Sequence, residues 1–409
     1  MTPRRLTAAA LLALVCLGWP IWPEHVGAAE LTVESETVGD DFPTGLTLDL
    51  DFATERTIVR AYVLYTLAHE DISSEVAATL AADGSSAATA VIDMETAYVP
   101  AGVDVTYRWR LIAEDDSEVA TQPATIIWQD DRFDWERSAS DDVEVFGYEG
   151  GGDLRGEVLN SAQETVDRLS EEFGVDVEHP LRIWIYASKK DFDGTLAANS
   201  QEWAAGAAYP DLQLILAVIP PDRPSELGRI IPHEVSHQLL ALATDNPYNA
   251  PATWLDEGFA VSNQTNGSSH MARLVATAKR EGRLLPLTSL DTAFPFDPTD
   301  AGLAYAESFS VVTYLVDTYG DAAVAAIAAA YRTGSTHDDA VRAGTGRDIA
   351  QLDREWRATI DDDAASSLDG DDVARLLIYG VPALGVITAL ALWRFRPHTS
   401  YPEDDEAAA

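Results

Sequence analysis

His233-Glu234-Val235-Ser236-His237 is the segment whose residue types and spacing can do chemistry. On a helix, positions i and i+4 share one face about one turn apart. Two imidazole nitrogens there can reach a single zinc ion at about 2.0–2.1 Å. Glu234, beside the first histidine, is placed to take a proton from water at the metal. A third ligand has to come from elsewhere in the chain. Twenty residues beyond His237 lies Glu257, within Trp254-Leu255-Asp256-Glu257-Gly258-Phe259-Ala260, and Asp245-Asn246-Pro247 marks a chain reversal between the two segments. Glu257 is the expected third ligand, opening or lying on a second helix that faces the first. Two imidazoles and one carboxylate leave one coordination position to water, as hydrolysis requires. The bland alternatives are a surface helix with two structural histidines, or a metal site without catalysis. The intact Glu234 speaks against the second.

These residues resemble the gluzincin metallopeptidases, whose pattern is HExxH followed by a zinc-binding glutamate. The span from about 131 to 362 is similar in order and pattern to the shorter bacterial peptidase MA-like domains; the specific motifs cover only 233–260. The resemblance implies hydrolysis of peptide bonds with zinc as cofactor. It also implies a strand-rich upper half, an active-site helix and a helical lower half. A downstream tyrosine often serves as oxyanion donor in such enzymes, and Tyr305 is the candidate here; the alternative is a packed core tyrosine. His270 is a second candidate, against a solvated helix position.

Three features depart from the family pattern. Where a Gly-Ala-Met-Glu-Asn segment would anchor a free substrate amino terminus, this chain has Gly206-Ala207-Ala208-Tyr209. That favours an endopeptidase over an aminopeptidase. Pro232 directly precedes His233, and either kinks the helix or starts it there. Four residues past Glu257 stands Val261, not an Asp that would orient a metal-binding histidine, so that partner must lie elsewhere.

The surrounding elements predict a multidomain chain. Residues 30–130 alternate with period two, as in Leu46, Leu48, Leu50 and Phe52; Val59, Ala61, Val63 and Tyr65; and Val103, Val105, Tyr107, Trp109 and Leu111. Turn signals such as Asp83-Gly84-Ser85 and Pro100-Ala101-Gly102 separate the runs, which predicts an antiparallel β-sandwich of immunoglobulin or fibronectin type. Residues 131–362 read as an α+β gluzincin-like domain: Val143–Phe146, Leu181–Tyr186 and Leu212–Ile219 as strands, Leu154 to Phe173 as a helix, then mostly helices. The Leu212–Val218 strand is a candidate edge for pairing with an extended substrate.

Both ends carry targeting patterns. Residues 1–29 read as a signal peptide, with Arg4 and Arg5 before an apolar run and Gly27-Ala28-Ala29 before the cleavage point. The sole cysteine, Cys16, falls in it, so a metal site must use His, Asp and Glu. Residues 363–375 read as a stalk and 376–393 as one transmembrane helix, long enough for a hydrocarbon core of about 30 Å. Arg394 and Arg396 place the tail 394–409 in the cytoplasm and the catalytic domain outside it.

The 409 residues carry a net charge of −41 and only three lysines. Such a surface repels nucleic acid, because phosphate binding needs clustered cations. The expected partners are a peptide or protein substrate and the membrane. Asn263-Gln264-Thr265 and Asn266-Gly267-Ser268 match glycosylation acceptors but read as a polar loop in a chain of bacterial composition. The rival reading is a surface binding or adhesion protein that keeps a peptidase fold without activity.

Overall fold

The computed structural model describes residues 31–361 apart from 69–72, 83–85, 97, 196–204 and 266–268. The leader, stalk, apolar run 376–393, tail, Asp83-Gly84-Ser85 turn and Asn266-Gly267-Ser268 stretch lie outside the described residues. The chain divides into two compact units: residues 47–92 and 105–126 with the N-terminal end form one, and residues 40–46, 93–104 and 127 onward form the other.

Eight strands run through the N-terminal region: β1 (Thr32–Asp41), β2 (Gly45–Ala53), β3 (Ile58–Leu67), β4 (Ser74–Leu80), β5 (Ala87–Asp93), β6 (Val103–Ala113), β7 (Glu118–Ala120) and β8 (Ala124–Trp128). Their order is β1-β2-β5-β4-β3-β6-β7, with β8 also on β6. The alternation behaves as expected on β2 and β6, where Leu46, Leu48, Leu50, Val105, Trp109 and Leu111 are buried to within 1%. The strands form an antiparallel half-barrel in which β4 pairs with β3 through residues 74–78 and with β5 through Thr79↔Thr89 and Leu80↔Ala88. One expectation is corrected. Val59 is 45% exposed, because a register shift between Ile58 and Arg60 breaks the alternation just there.

In the second unit a five-stranded sheet has the order β12-β13-β11-β10-β9. Its strands are β9 (Glu136–Ala139), β10 (Val143–Gly147), β11 (Leu181–Tyr186), β12 (Gly206–Tyr209) and β13 (Leu214–Val218). The central three are parallel; β9 and β12 run antiparallel on the two flanks. The expected strand Leu212–Ile219 is shorter because Pro210–Leu212 forms a 3-10 turn and Gln213 takes a left-handed φ of 49°. β13 is also not an edge: it lies between β12 and β11, and β12 is the outer strand among the described residues.

Nine helices follow among the described residues: α1 (Gly151–Phe173), α2 (Lys189–Asp193), α3 (Leu227–Thr244), α4 (Thr253–Ser262), α5 (Ser269–Glu281), α6 (Pro298–Tyr319), α7 (Ala322–Arg332), α8 (His337–Thr345) and α9 (Ile349–Thr359). One apolar core joins α1 and α3 to the sheet through Val158, Leu169, Val235, Leu239, Ile183 and Ile215. A second gathers Trp254, Leu303, Val311, Leu315 and Trp356 from the later helices. Among the described residues, no single helix is long and apolar enough to cross a membrane.

Candidate metal centre

Helix α3 begins at Leu227, so Pro232 sits in its second turn and does not start it. Proline offers no N–H, which leaves the Gly228 carbonyl without its helical donor. Thr265 fills the gap: its backbone N–H donates to Gly228 O at 2.9 Å and its hydroxyl at 3.0 Å. The helix therefore continues through the proline and presents His233 and His237 on one face. Their Nε2 atoms are 3.2 Å apart, with the rings nearly perpendicular at 86°.

Helix α4 supplies the third donor. Glu257 Oε2 lies 3.6 Å from Nε2 of both His233 and His237. Gly258 explains how α4 can lie so close to α6: a Cβ there would stand 2.4 Å from the Ser308 carbonyl oxygen. That close helix crossing brings Tyr305 of α6 beside the Glu257 carboxyl. His233, His237 and Glu257 each offer one atom to a cluster within 4.8 Å, and all three residues are buried.

Burial governs the electrostatics. It holds the His233 imidazole well below its ordinary pKa, with His237 adding to the effect. Burial alone would lower His237 too, but Asp256 and Glu257 outweigh it and push that imidazole up to about 10. Burial raises the Glu234 carboxyl to about 7, against the pull of His237 and Arg229. It raises Glu257 as well. Both oxygens of Glu234 and both of Glu257 are buried without a hydrogen-bond partner. Orphaned carboxylate oxygens are costly in a protein interior and mark a site built for something else. Two imidazole nitrogens and a carboxylate converging there fit a divalent cation that accepts N and O donors.

Two residues that orient the ligands were not found by sequence reasoning. Asp256 meets Nδ1 of His237 at 2.7 Å, leaving Nε2 to face the cluster. It stands next to Glu257 in the Trp254–Ala260 run, so the missing partner was inside the motif. Gln264 reaches Nδ1 of His233 at 2.9 Å. Its amide oxygen and nitrogen exchange by a simple flip, and the oxygen accepts from Nδ1–H when Nε2 is a ligand. The sequence signal for Gln264 is weak: it looks like one residue of a polar loop.

Tyr305 is fully buried, with its ring edge-on to Phe294 at 4.9 Å and its hydroxyl turned to Glu257. Its ring is packed as in the core-tyrosine alternative, and its hydroxyl lies at the site. The structure does not place His270 among the clustered donors.

Residues 161–362 match the family model of the Peptidase MA superfamily. The match covers just under half of the chain and contains every donor of the cluster. A Peptidase MA domain with a buried His-His-Glu site is a possible metallopeptidase, and the site can hold a metal ion. No curated protein matches the chain. Among solved structures, the crystal structure of a Br derivative of BhCBM56 aligns at 10% identity over 24% of this chain and 98% of its own, with a TM-score of 0.18. A likeness that low carries no argument about fold or ligand.

Proposed function

We propose that the chain is a zinc metallopeptidase with endopeptidase action, anchored by one transmembrane helix and facing out of a bacterial cell. The observation that carries the enzymatic reading is the convergence of His233, His237 and Glu257 around unpartnered, buried carboxylate oxygens beside Glu234. The Peptidase MA match over the same residues supports it. The leader 1–29, the apolar run 376–393 and the basic residues after it support the topology.

His233, His237 and Glu257 would hold the zinc, which supplies Lewis-acid polarisation and a water nucleophile at neutral pH. Both histidines would have to be neutral at Nε2 to hold it. Asp256 fixes the His237 ring by accepting from Nδ1–H. Glu234 takes the proton of the attacking water and passes it to the departing amine. Tyr305, whose hydroxyl is turned to Glu257, supplies a donor for the developing oxyanion. An extended peptide would pair along β12, the outer strand, in place of β13. The position of an amino-terminal anchor is occupied by Tyr209, whose phenol bonds Tyr98 at 2.7 Å and offers no carboxylate. This supports cleavage within chains.

The test uses wild type and Glu234→Gln, each assayed for zinc content and for hydrolysis of a mixed peptide library. Stoichiometric zinc in both, with cleavage lost by a factor of about 10² or more only in the variant, is the expected outcome. Zinc without cleavage by wild type would leave the rival reading, a binding protein on a peptidase fold.

A further inference from the structure

Gly206 opens β12 and pairs with Ala217 of β13. Two residues on, Ala208 lies on the same face of the strand and packs in the apolar cluster with Ile231 and Val235 of α3. At Gly206 the place of a side chain is taken by Glu234. A Cβ there would stand 2.2 Å from Glu234 Oε1, 2.7 Å from Cδ and 3.0 Å from Cγ. Gly206 is not among the glycines of positive φ, so its backbone would accept alanine. The three atoms nearest to that Cβ all belong to the glutamate.

Glu234 is fully buried, and no hydrogen bond holds either carboxylate oxygen. Its position is therefore set by walls rather than by bonds. The wall on the sheet side is the bare backbone of Gly206. A Cβ at that point must push the carboxyl away by about 1 Å to reach ordinary contact distance.

We infer that Gly206 is the positioning residue of the general base: its missing side chain is the socket that sets where the Glu234 carboxyl stands. The inference rests on the peptidase reading for its effect on rate, but not for its geometry. The test crosses Gly206→Ala with Glu234→Asp, whose side chain is shorter by one methylene, and with Glu234→Ala.

In the zinc-loaded protein, Gly206→Ala is expected to lower kcat about 10²-fold, the typical cost of a 1 Å misplacement. Zinc stoichiometry should hold. In the Glu234→Asp background the same change should cost less than about threefold, because the shorter side chain clears the Cβ. A second arm needs no activity. Gly206→Ala should lower the melting temperature when Glu234 is present, and leave or raise it when residue 234 is alanine, since alanine restricts the unfolded chain more than glycine. Equal penalties in all backgrounds, in rate or in melting, would overturn the inference and make Gly206 a plain strand residue. A wild-type protein that binds zinc and cleaves nothing would end the peptidase reading, while the melting arm would still decide on Gly206.

Discussion

The half-barrel and the metal centre are equally dry and oppositely filled. Leu46, Leu48, Val63, Val105 and Trp109 are at 0% exposure in the first; His233, Glu234 and Glu257 are at 0% in the second. In the half-barrel Trp109 Nε1 donates to Glu36 at 3.0 Å and its backbone N–H donates to Thr121 Oγ1 at 3.0 Å, and buried atoms without a partner are single atoms of larger groups, such as Nε of Arg110. In the metal centre neither oxygen of the Glu234 carboxylate finds a partner. Burial alone therefore does not separate scaffold from site. What separates them is a whole buried acid left without a hydrogen bond.

The largest expected effect tests the scaffold side. Trp109→Ala should cost about 3–5 kcal/mol in denaturant unfolding, the usual range for a buried aromatic removed to alanine. Zinc content of the folded protein should stay stoichiometric, because Trp109 and the metal donors belong to different compact units. Loss of zinc alongside stability would break the comparison.

On the site side, Asp256→Asn should reach the metal. Zinc affinity, read by competition with a chromophoric chelator, is expected to fall about 10–100-fold, as for other partners that orient a metal-bound histidine. Stability of the metal-free protein should fall as well, because the Asp256 carboxylate sustains the buried His237 imidazolium. Unchanged affinity would show that Glu257 and the imidazoles orient themselves.

The last case lies between the two. Glu307 of α6 is fully buried, accepts from the Leu285 backbone at 3.0 Å through one oxygen, and has no partner for the other. Burial raises its carboxyl from 4.5 to about 8. The folded chain thus holds a proton that the unfolded chain releases, so stability should fall as pH rises between those two values. Glu307→Gln should flatten the melting temperature across that window. A slope that survives the change would assign the titration elsewhere.

The sequence made the donors legible and the support around them only partly so. His233 and His237 followed from helical spacing, and Glu257 from its distance along the chain. The strand pattern gave the burial of β2 and β6, because period-two alternation survives wherever one face is covered. It failed at Val59, where one shifted pair reverses the faces. It could not show β4 changing partner from β3 to β5 at Thr79, since alternation reports which face is covered and not which strand lies alongside. β12 escaped for another reason: Gly206-Ala207-Ala208-Tyr209 is too short and too small-sided to read as a strand, yet it displaces β13 from the edge. Gln264 was hidden because its role depends on a turn that brings it back over α3.

The proline before His233 has an effect that reaches past the helix. With the Gly228 carbonyl held by Thr265, the segment after α4 cannot lift away without stranding an acceptor in the first turn of α3. Gln264 is the next residue in that segment, so its grip on His233 and the hold on Gly228 are released together. Chelating the metal should accordingly speed amide exchange at Thr265, 28 residues beyond His237 in sequence yet one bond from its helix. Giving the rung back with Pro232→Ala should firm the helix and loosen that loop at once.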